Sequence, residues 1–293
     1  MKVLILGASG MLGNALFRLY SGYSDMEVFG TLRSVNSKNF FPEDLRTNLK
    51  CGIDVENMDQ LIRIFDVVRP NIVINCIGLV KQVIEANDPL SAIPINSLLP
   101  HRIANLCSLV GARFIHLSTD CIFSGSKGFY NEGDVADAKD LYGLSKYLGE
   151  VTSDGALTLR TSIIGHELQG NRSLVDWFLS QNAPIKGYRK AIFSGLPTVE
   201  IGRIIKNYVL PNSEIKGLYN LSAEPINKYD LLKLVSEQYK KNINIIPDDT
   251  FRIDRSLDSS RFRLDTGFMP KAWTTLVSEM YEFRFQYLEK YKC

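Results

Sequence analysis

Residues 2–13 run Lys2-Val3-Leu4-Ile5-Leu6-Gly7-Ala8-Ser9-Gly10-Met11-Leu12-Gly13. An apolar, β-rich run stops at Gly7, and Met11, Leu12, Leu16 and Leu19 then recur at helical spacing. Small residues between a strand and a helix permit a tight turn, close approach of a pyrophosphate and close helix packing. The free N–H groups that open the helix attract phosphate charge. The spacing is GxxGxxG rather than the general GxGxxG signature, and alone it would equally suit a structural turn. Its place between a first strand and a first helix points to dinucleotide binding, with Gly7, Ser9, Gly10, Met11, Leu12 and Gly13 at the cofactor.

Working outward, Glu27 to Leu32 and Asn71 to Cys76 read as strands, with a helix marked by Leu61, Ile62 and Phe65 between them. Residues 97–110 read helical, Arg113 to Leu117 strand, Tyr142 to Val151 helical and Leu157 to Arg160 strand. Strands apolar on both faces alternate with helices, which predicts a Rossmann-like α/β fold with a parallel sheet covered by helices. After about residue 160 the alternation loosens, although 199–209, 228–240 and 273–289 look helical. The expected division is a nucleotide-binding domain over 1–160 and a smaller α/β substrate-binding region over 161–293, with segments of the latter returning to the former. That region would pack over the crevice at the sheet's carboxyl edge, where such folds bind ligands.

The 293 residues are 45% hydrophobic and 23% charged, enough to fill a sizeable core and too apolar for a disordered chain. Lys and Arg total 34 against 32 Asp and Glu, so no basic surface for nucleic acid or an acidic membrane is expected. The five cysteines, Cys51, Cys76, Cys107, Cys121 and Cys293, are odd in number and lack CxxC spacing. They suit a reducing, cytoplasmic setting. His101, His116 and His166 lie far apart and form no local zinc pattern, so no metal is expected. The opening MKVLILG reaches structural glycines at once, and no secretory signal or membrane span is expected.

Cofactor choice turns on the end of the second strand, where a ribose-binding carboxylate would suit NAD. Thr31-Leu32-Arg33-Ser34 stands there instead. Arg33 can pair with a 2′-phosphate through its guanidinium fork, with Ser34 adding a hydroxyl, so NADP(H) is expected and NAD(H) is the alternative. A solvated surface arginine is the simpler reading. Asp54 and Val55, in GIDVEN, fall where adenine would lie, or Asp54 caps a helix. Asn75-Cys76-Ile77-Gly78 ends another strand beside the expected nicotinamide.

Tyr142-Gly143-Leu144-Ser145-Lys146 places a phenol and an ammonium four residues apart on one helical face. A nearby ammonium favours the phenolate, while the neutral phenol can protonate a developing alkoxide. Such a pair is common in helices, but a strand ending His116-Leu117-Ser118-Thr119-Asp120 precedes it. Thr119 offers a hydroxyl for the same substrate oxygen, with Ser118 as the alternative, because adjacent strand side chains face opposite ways.

The runs STDCIFSG, FYNEGD, YGLSKYLGE and LRTSIIG together resemble the extended short-chain dehydrogenase/reductase superfamily, and within it the dTDP-4-dehydrorhamnose reductase family. The likeness is firm over roughly residues 1–166. It implies a catalytic Thr119, Tyr142 and Lys146, with the tyrosine as general acid, the lysine on the nicotinamide ribose and lowering the tyrosine pKa, and the threonine on the carbonyl. It also implies Asn96 in the central helix as a site-shaping residue, which the sequence alone reads as a helix cap. Cys76, Ile77 and Gly78 would line the cofactor channel. Ser118, Asp120, Cys121, Thr161 and Ser162 would lie toward the sugar, and Arg160 would either join them or brace the domain junction. Cys121 stands where the family has an aromatic residue, and the proline usual before the YG element is absent from ADAKDLYG.

The expected activity is NADPH-dependent reduction of the C4 ketone of a nucleotide-activated 4-keto-6-deoxy sugar. The alternatives are a 4-epimerase or dehydratase of the same superfamily, and a non-catalytic NADP-binding regulatory subunit. Thr119-Asp120-Cys121 replaces the Thr-Asp-Glu of the dehydratases. Lys186, Tyr188, Arg189 and Lys190 suit either a sugar diphosphate or a solvated basic turn. His166 and Trp177 suit either a sugar nucleotide or the core. A homodimer is expected from the resemblance alone.

Overall fold

The computed structural model of the protein describes residues 1–80, 84–153 and 155–289, so Cys293 lies outside the described residues. From the N-terminus, β1 (Lys2–Leu6), α1 (Met11–Ser21), β2 (Glu27–Leu32), α2 (Glu43–Arg46), β3 (Leu49–Cys51), α3 (Met58–Val68) and β4 (Ile72–Asn75) follow in turn. Then α4 (Pro89–Ala92), a π-wound stretch Ile93–Leu98 and α5 (Leu99–Val110) precede β5 (Arg113–Thr119), α6 (Leu141–Leu148) and β6 (Ala156–Thr161). Next come β7 (Ile163–Ile164), α7 (Leu174–Ser180), β8 (Ile185–Phe193), β9 (Leu196–Pro197), α8 (Thr198–Ile204) and β10 (Gly217–Asn220). The chain continues through β11 (Ile226–Asn227), α9 (Lys228–Gln238), β12 (Ile245–Asp254), α10 (Ser260–Thr266) and α11 (Trp273–Phe283).

Seven parallel strands form one sheet in the order β3-β2-β1-β4-β5-β6-β10. The direction of winding reverses between β1 and β4, and a ligand crevice opens at the carboxyl ends beside such a reversal. β1 is buried on both faces because its side chains alternate between two cores. Val3 and Ile5 pack with Leu16, Phe17 and Tyr20 of α1, while Leu4 and Leu6 pack with Leu61 and Phe65 of α3 and Ile103 of α5. Each such side chain contributes about 1.5–3 kcal/mol of burial, so one polar substitution in β1 would disturb the layer that its side chain faces.

Local sequence fixes where the helices begin and end. Asn57 caps α3 by accepting the Gln60 N–H, and Arg69 ends it in the left-handed region at φ 49°. The Asp140 side chain accepts the Gly143 N–H at 2.9 Å and opens α6. This helix stops at Leu148, short of the expected Val151. Gly149 lets it lie against the π-wound stretch, since a Cβ there would run into the Asn96 carbonyl.

β10, from the later half of the chain, completes the main sheet beside β6. β11, β8 and β12 form a separate three-stranded sheet. The stretch after β12 is stitched to the loop after β5 by Asp254 N–H to Gly125 O (2.8 Å), Tyr130 N–H to Ser256 O (2.9 Å) and Asp258 N–H to Tyr130 O (2.8 Å). Among the described residues no helix is long and apolar enough to cross a membrane.

Candidate active site

The glycine loop joins β1 to α1, and its three glycines have different jobs. Gly7 adopts φ 83°, a backbone position that favours glycine. Gly13 packs so closely that a Cβ would strike the Gly7 carbonyl. Gly10 has ordinary φ (−73°), and a Cβ there would find its nearest neighbour at 3.5 Å. Its bareness therefore serves the space in front of the loop. That space is a cavity of about 250 Å³ lined by Ser9, Gly10, Met11, Ser37, Phe40 and the 167–169 loop. No side chain caps α1, so its first N–H groups remain available to an anion. Thr31, which sequence reasoning passed over, props the loop: its hydroxyl accepts the Gly7 N–H at 3.0 Å and its carbonyl the Ala8 N–H at 2.9 Å.

Arg33 and Ser34 are exposed just past β2, and among the described residues no ion pair involves Arg33. Asp54 lies beyond β3, exposed, where its carboxylate accepts the Glu56 N–H at 3.0 Å. The cap of α3 is Asn57, so the alternative reading of Asp54 as a helix cap is corrected. Val55 packs partly buried against the core around α3. Cys76, Ile77 and Gly78 follow β4, and a Cβ on Gly78 would meet Asn96 Oδ1 at 3.4 Å and Lys146 Nζ at 3.8 Å.

Asn96 is no helix cap either. It is buried within the π-wound stretch, where Oδ1 accepts the Leu79 N–H at 2.9 Å and Nδ2 donates to Leu79 O and Ser145 Oγ. It thereby locks the segment after β4 to α6.

β5 delivers Thr119 and α6 delivers Tyr142 and Lys146 to one place. The Thr119 hydroxyl lies beside the Tyr142 phenol and favours its ionised form. Burial pushes the phenol pKa upward, helped by Cys121, Asp120 and Asp140, against the favourable Thr119 contact. The net shift is upward rather than the lowering expected from lysine, and the Lys146 ammonium donates to Leu117 O at 2.8 Å. Burial brings that ammonium down to about 8, with Glu150 and Cys76 opposing the fall. The Cys76 thiol is pushed up to about 12 by burial, so it stays protonated.

The alternation along β5 separates Thr119 from Ser118. Ser118 Oγ donates to Glu150 Oε1 at 2.7 Å, on a buried pair in which Arg160 Nε and Nη2 grip Glu150 at 2.8 and 2.7 Å. Arg160 also lies over the Phe123 ring. Arg160 thus braces β6 against the end of α6, and the substrate-side expectation for Ser118 and Arg160 is corrected. Thr161 is buried with its hydroxyl on Ser162 O at 3.2 Å, and the Ser162 carbonyl accepts the Leu196 N–H.

Asp120 is buried at the end of β5, and the Thr119 hydroxyl donates to its Oδ1 at 3.2 Å. Cys121 receives a contact that its sequence position did not announce: Arg255 Nη1 lies 3.6 Å from Sγ, while Arg255 Nε donates to Phe123 O at 2.8 Å. Lys228, at the head of α9, faces Asp120 and Cys121 as well. Both cations come from the later half of the chain, over a hundred residues from β5, where no local pattern marks them.

His166 and the basic stretch are engaged by partners of their own, and Trp177 departs from its core reading. His166 is buried and engaged at both nitrogens, by Asp176 at 2.6 Å and the Tyr239 hydroxyl at 2.7 Å, so its role is structural. Trp177 is 37% exposed on α7, which corrects the core reading. The basic stretch is a strand, not a turn, and two of its charges are matched across β8 and β12 by Arg189 with Asp249 and Lys186 with Asp248. A cavity of about 610 Å³ lies between α1, α7 and the residues after α11, away from Tyr142.

The comparisons agree with this geometry. A family model described as RmlD substrate binding domain matches residues 1–283. The chain is 24% identical over 297 residues to dTDP-4-dehydrorhamnose reductase of Aggregatibacter actinomycetemcomitans, which covers 93% of this chain and 95% of that protein. It is also 24% identical over 254 residues to methionine adenosyltransferase 2 subunit beta of Danio rerio, covering 81% and 74%. Among solved structures, dTDP-4-dehydrorhamnose reductase from Bacillus anthracis in complex with NADP matches with a TM-score of 0.77 at 22% identity, covering 96% of this chain and 97% of that one. With a match that runs from the glycine loop through α11, the chain belongs to the RmlD substrate binding domain family.

Proposed function

We propose that the protein reduces the C4 ketone of a nucleotide-activated 4-keto-6-deoxy sugar with NADPH. The observation that carries this is the convergence of Thr119, Tyr142 and Lys146 at the carboxyl edge of the sheet, beside the glycine loop. The residues present fit a dinucleotide phosphate. The uncapped start of α1 and the bare Gly10 suit a pyrophosphate, and Arg33, exposed and in no ion pair among the described residues, suits a 2′-phosphate. Bound nicotinamide would supply the hydride. Thr119 holds the carbonyl oxygen, and Tyr142 gives it a proton as negative charge develops. A phenol held strongly neutral by burial is in the state a general acid needs. Lys146 adds positive charge and the donors that Leu117 O leaves unused, next to Gly78, where a cofactor ribose would pass.

Tyr142→Phe removes the acidic proton and leaves the helix intact. NADPH affinity should be kept while ketone reduction drops by roughly 10²–10⁴-fold. Purified protein incubated with NADPH and a panel of 4-keto sugar nucleotides, followed by assignment of product configuration, tests both points. Normal turnover by the variant would remove Tyr142 from the mechanism. The likeness to methionine adenosyltransferase 2 subunit beta favours a second reading, an NADP-binding subunit of another enzyme. A wild-type protein that binds NADPH, reduces no ketosugar and is recovered with a stable protein partner would establish it.

A further inference from the structure

We propose that Asp120 supplies the proton that restores the Tyr142 phenol, passing it through the Thr119 hydroxyl. This rests on the reductase reading of the site. Thr119 stands between the two groups, its hydroxyl beside the phenol on one side and donating to Asp120 Oδ1 at 3.2 Å on the other. Its oxygen also accepts the Cys121 N–H at 3.1 Å, which holds the hydroxyl in place while its proton can face either neighbour.

Asp120 is 5% exposed, and none of the ion pairs among the described residues includes it. Charged groups nonetheless face it from two other elements: Arg255 from the end of β12 and Lys228 from α9. Cys121, its neighbour in sequence, and Tyr142 on α6 are the titratable groups beside it, and the exposed Asp137 faces Arg255 from the loop before α6. Burial raises the Asp120 carboxyl above the ordinary range, while the two cations pull it back. The result is a carboxylic acid that can be neutral before the reaction and tolerated as a carboxylate after it.

The step balances without any co-reactant beyond water. The Tyr142 O–H bond breaks as its proton goes to the oxygen of the reduced carbonyl. The phenolate takes the Thr119 hydroxyl proton, and Thr119 Oγ1 takes the proton of Asp120. The carboxylate left behind faces Arg255 and Lys228 and regains a proton from water between turnovers. The need for such a source comes from Tyr142 itself, because burial and the nearby Asp120 and Cys121 disfavour its phenolate. It also comes from Lys146, whose ammonium is held by the Leu117 carbonyl.

The test is the pH dependence of kcat for ketone reduction by the full chain, together with its solvent deuterium isotope effect. In the wild type, kcat should fall as pH rises through the raised Asp120 pKa. Asp120→Asn keeps a hydrogen-bonding group beside Thr119 but has no proton to give. It should lower kcat by roughly tenfold or more, abolish that limb and change the isotope effect, with NADPH affinity retained. Lys228→Gln removes a cation that favours the carboxylate and should move the limb to higher pH. If Asp120→Asn fails to bind NADPH, the displacement in Lys228→Gln decides alone. A wild type that reduces the ketone, with variants that match its rate and limb, would overturn the relay and leave the reductase reading standing. A wild type that reduces no ketone removes both.

Discussion

At the scale of single residues, the glycine loop separates folding from binding. Gly13→Ala forces a methyl against the Gly7 carbonyl and should cost about 1–3 kcal/mol of stability, read by thermal or urea denaturation. Gly10→Ala meets no such obstacle, yet it fills the space in front of the α1 amides. Its stability should stay close to wild type while NADPH affinity falls by roughly tenfold, about 1.4 kcal/mol, in a fluorescence titration. Equal NADPH affinity in Gly10→Ala and wild type would mean that no phosphate lies against this loop. Lys146 makes a separate prediction through its charge. Its ammonium is present below about 8 and lost above it, so kcat/KM, which reports the free enzyme, should fall as pH rises through that value. This fall should persist in Asp120→Asn.

At the scale of elements, what the sequence made legible was whatever is local. The both-face apolar runs of β1, β4 and β5, the glycines after β1 and the four-residue spacing on α6 all act within one strand, loop or helix turn. Charge pairing across the fold was not local, and there the sequence misled. The basic stretch of β8 reads as a diphosphate site or a solvated turn until Asp248 and Asp249 arrive from β12, about sixty residues later, and nothing near Cys121 in the sequence announces Arg255, 3.6 Å from its sulfur. Arg160 left two readings open, and burial decides between them, because both it and Glu150 are nearly excluded from water. Arg160→Met should cost about 3–5 kcal/mol in urea denaturation, since it strands a buried carboxylate, and adding Glu150→Gln should recover most of that loss. An unchanged stability accompanied by a raised KM for the ketosugar would return Arg160 to the substrate.

For the whole molecule, packing crosses the division expected near residue 160, which allowed for segments of the later region returning to the earlier one. β10 hydrogen-bonds to β6 and completes the main sheet, although it lies well past that point in the chain. Tyr20 of α1 donates to Gly202 O of α8 at 2.8 Å, and Leu16 and Phe17 share a core with Ile201, Ile205 and Met280. Arg113, at the start of β5, donates to Val209 O and Ile215 O, both at 2.6 Å. The loop after β5 is likewise held by Arg255, Ser256 and Asp258 from beyond β12. Removing residues 161–293 would therefore uncover one whole face of α1, leave an edge of β6 unpaired and release the loop that carries Cys121 and Phe123. Exposed apolar surface on that scale exceeds what a marginally stable domain can lose. The intact chain should unfold in a single cooperative transition, with coincident near- and far-ultraviolet circular dichroism curves, and the 1–160 fragment should lack slowly exchanging amides in β1 and β5. Two separated transitions, or a fragment with native-like amide protection and NADPH binding, would mean that the sheet stands without its later half and that the C-terminal region is an independent domain laid upon it.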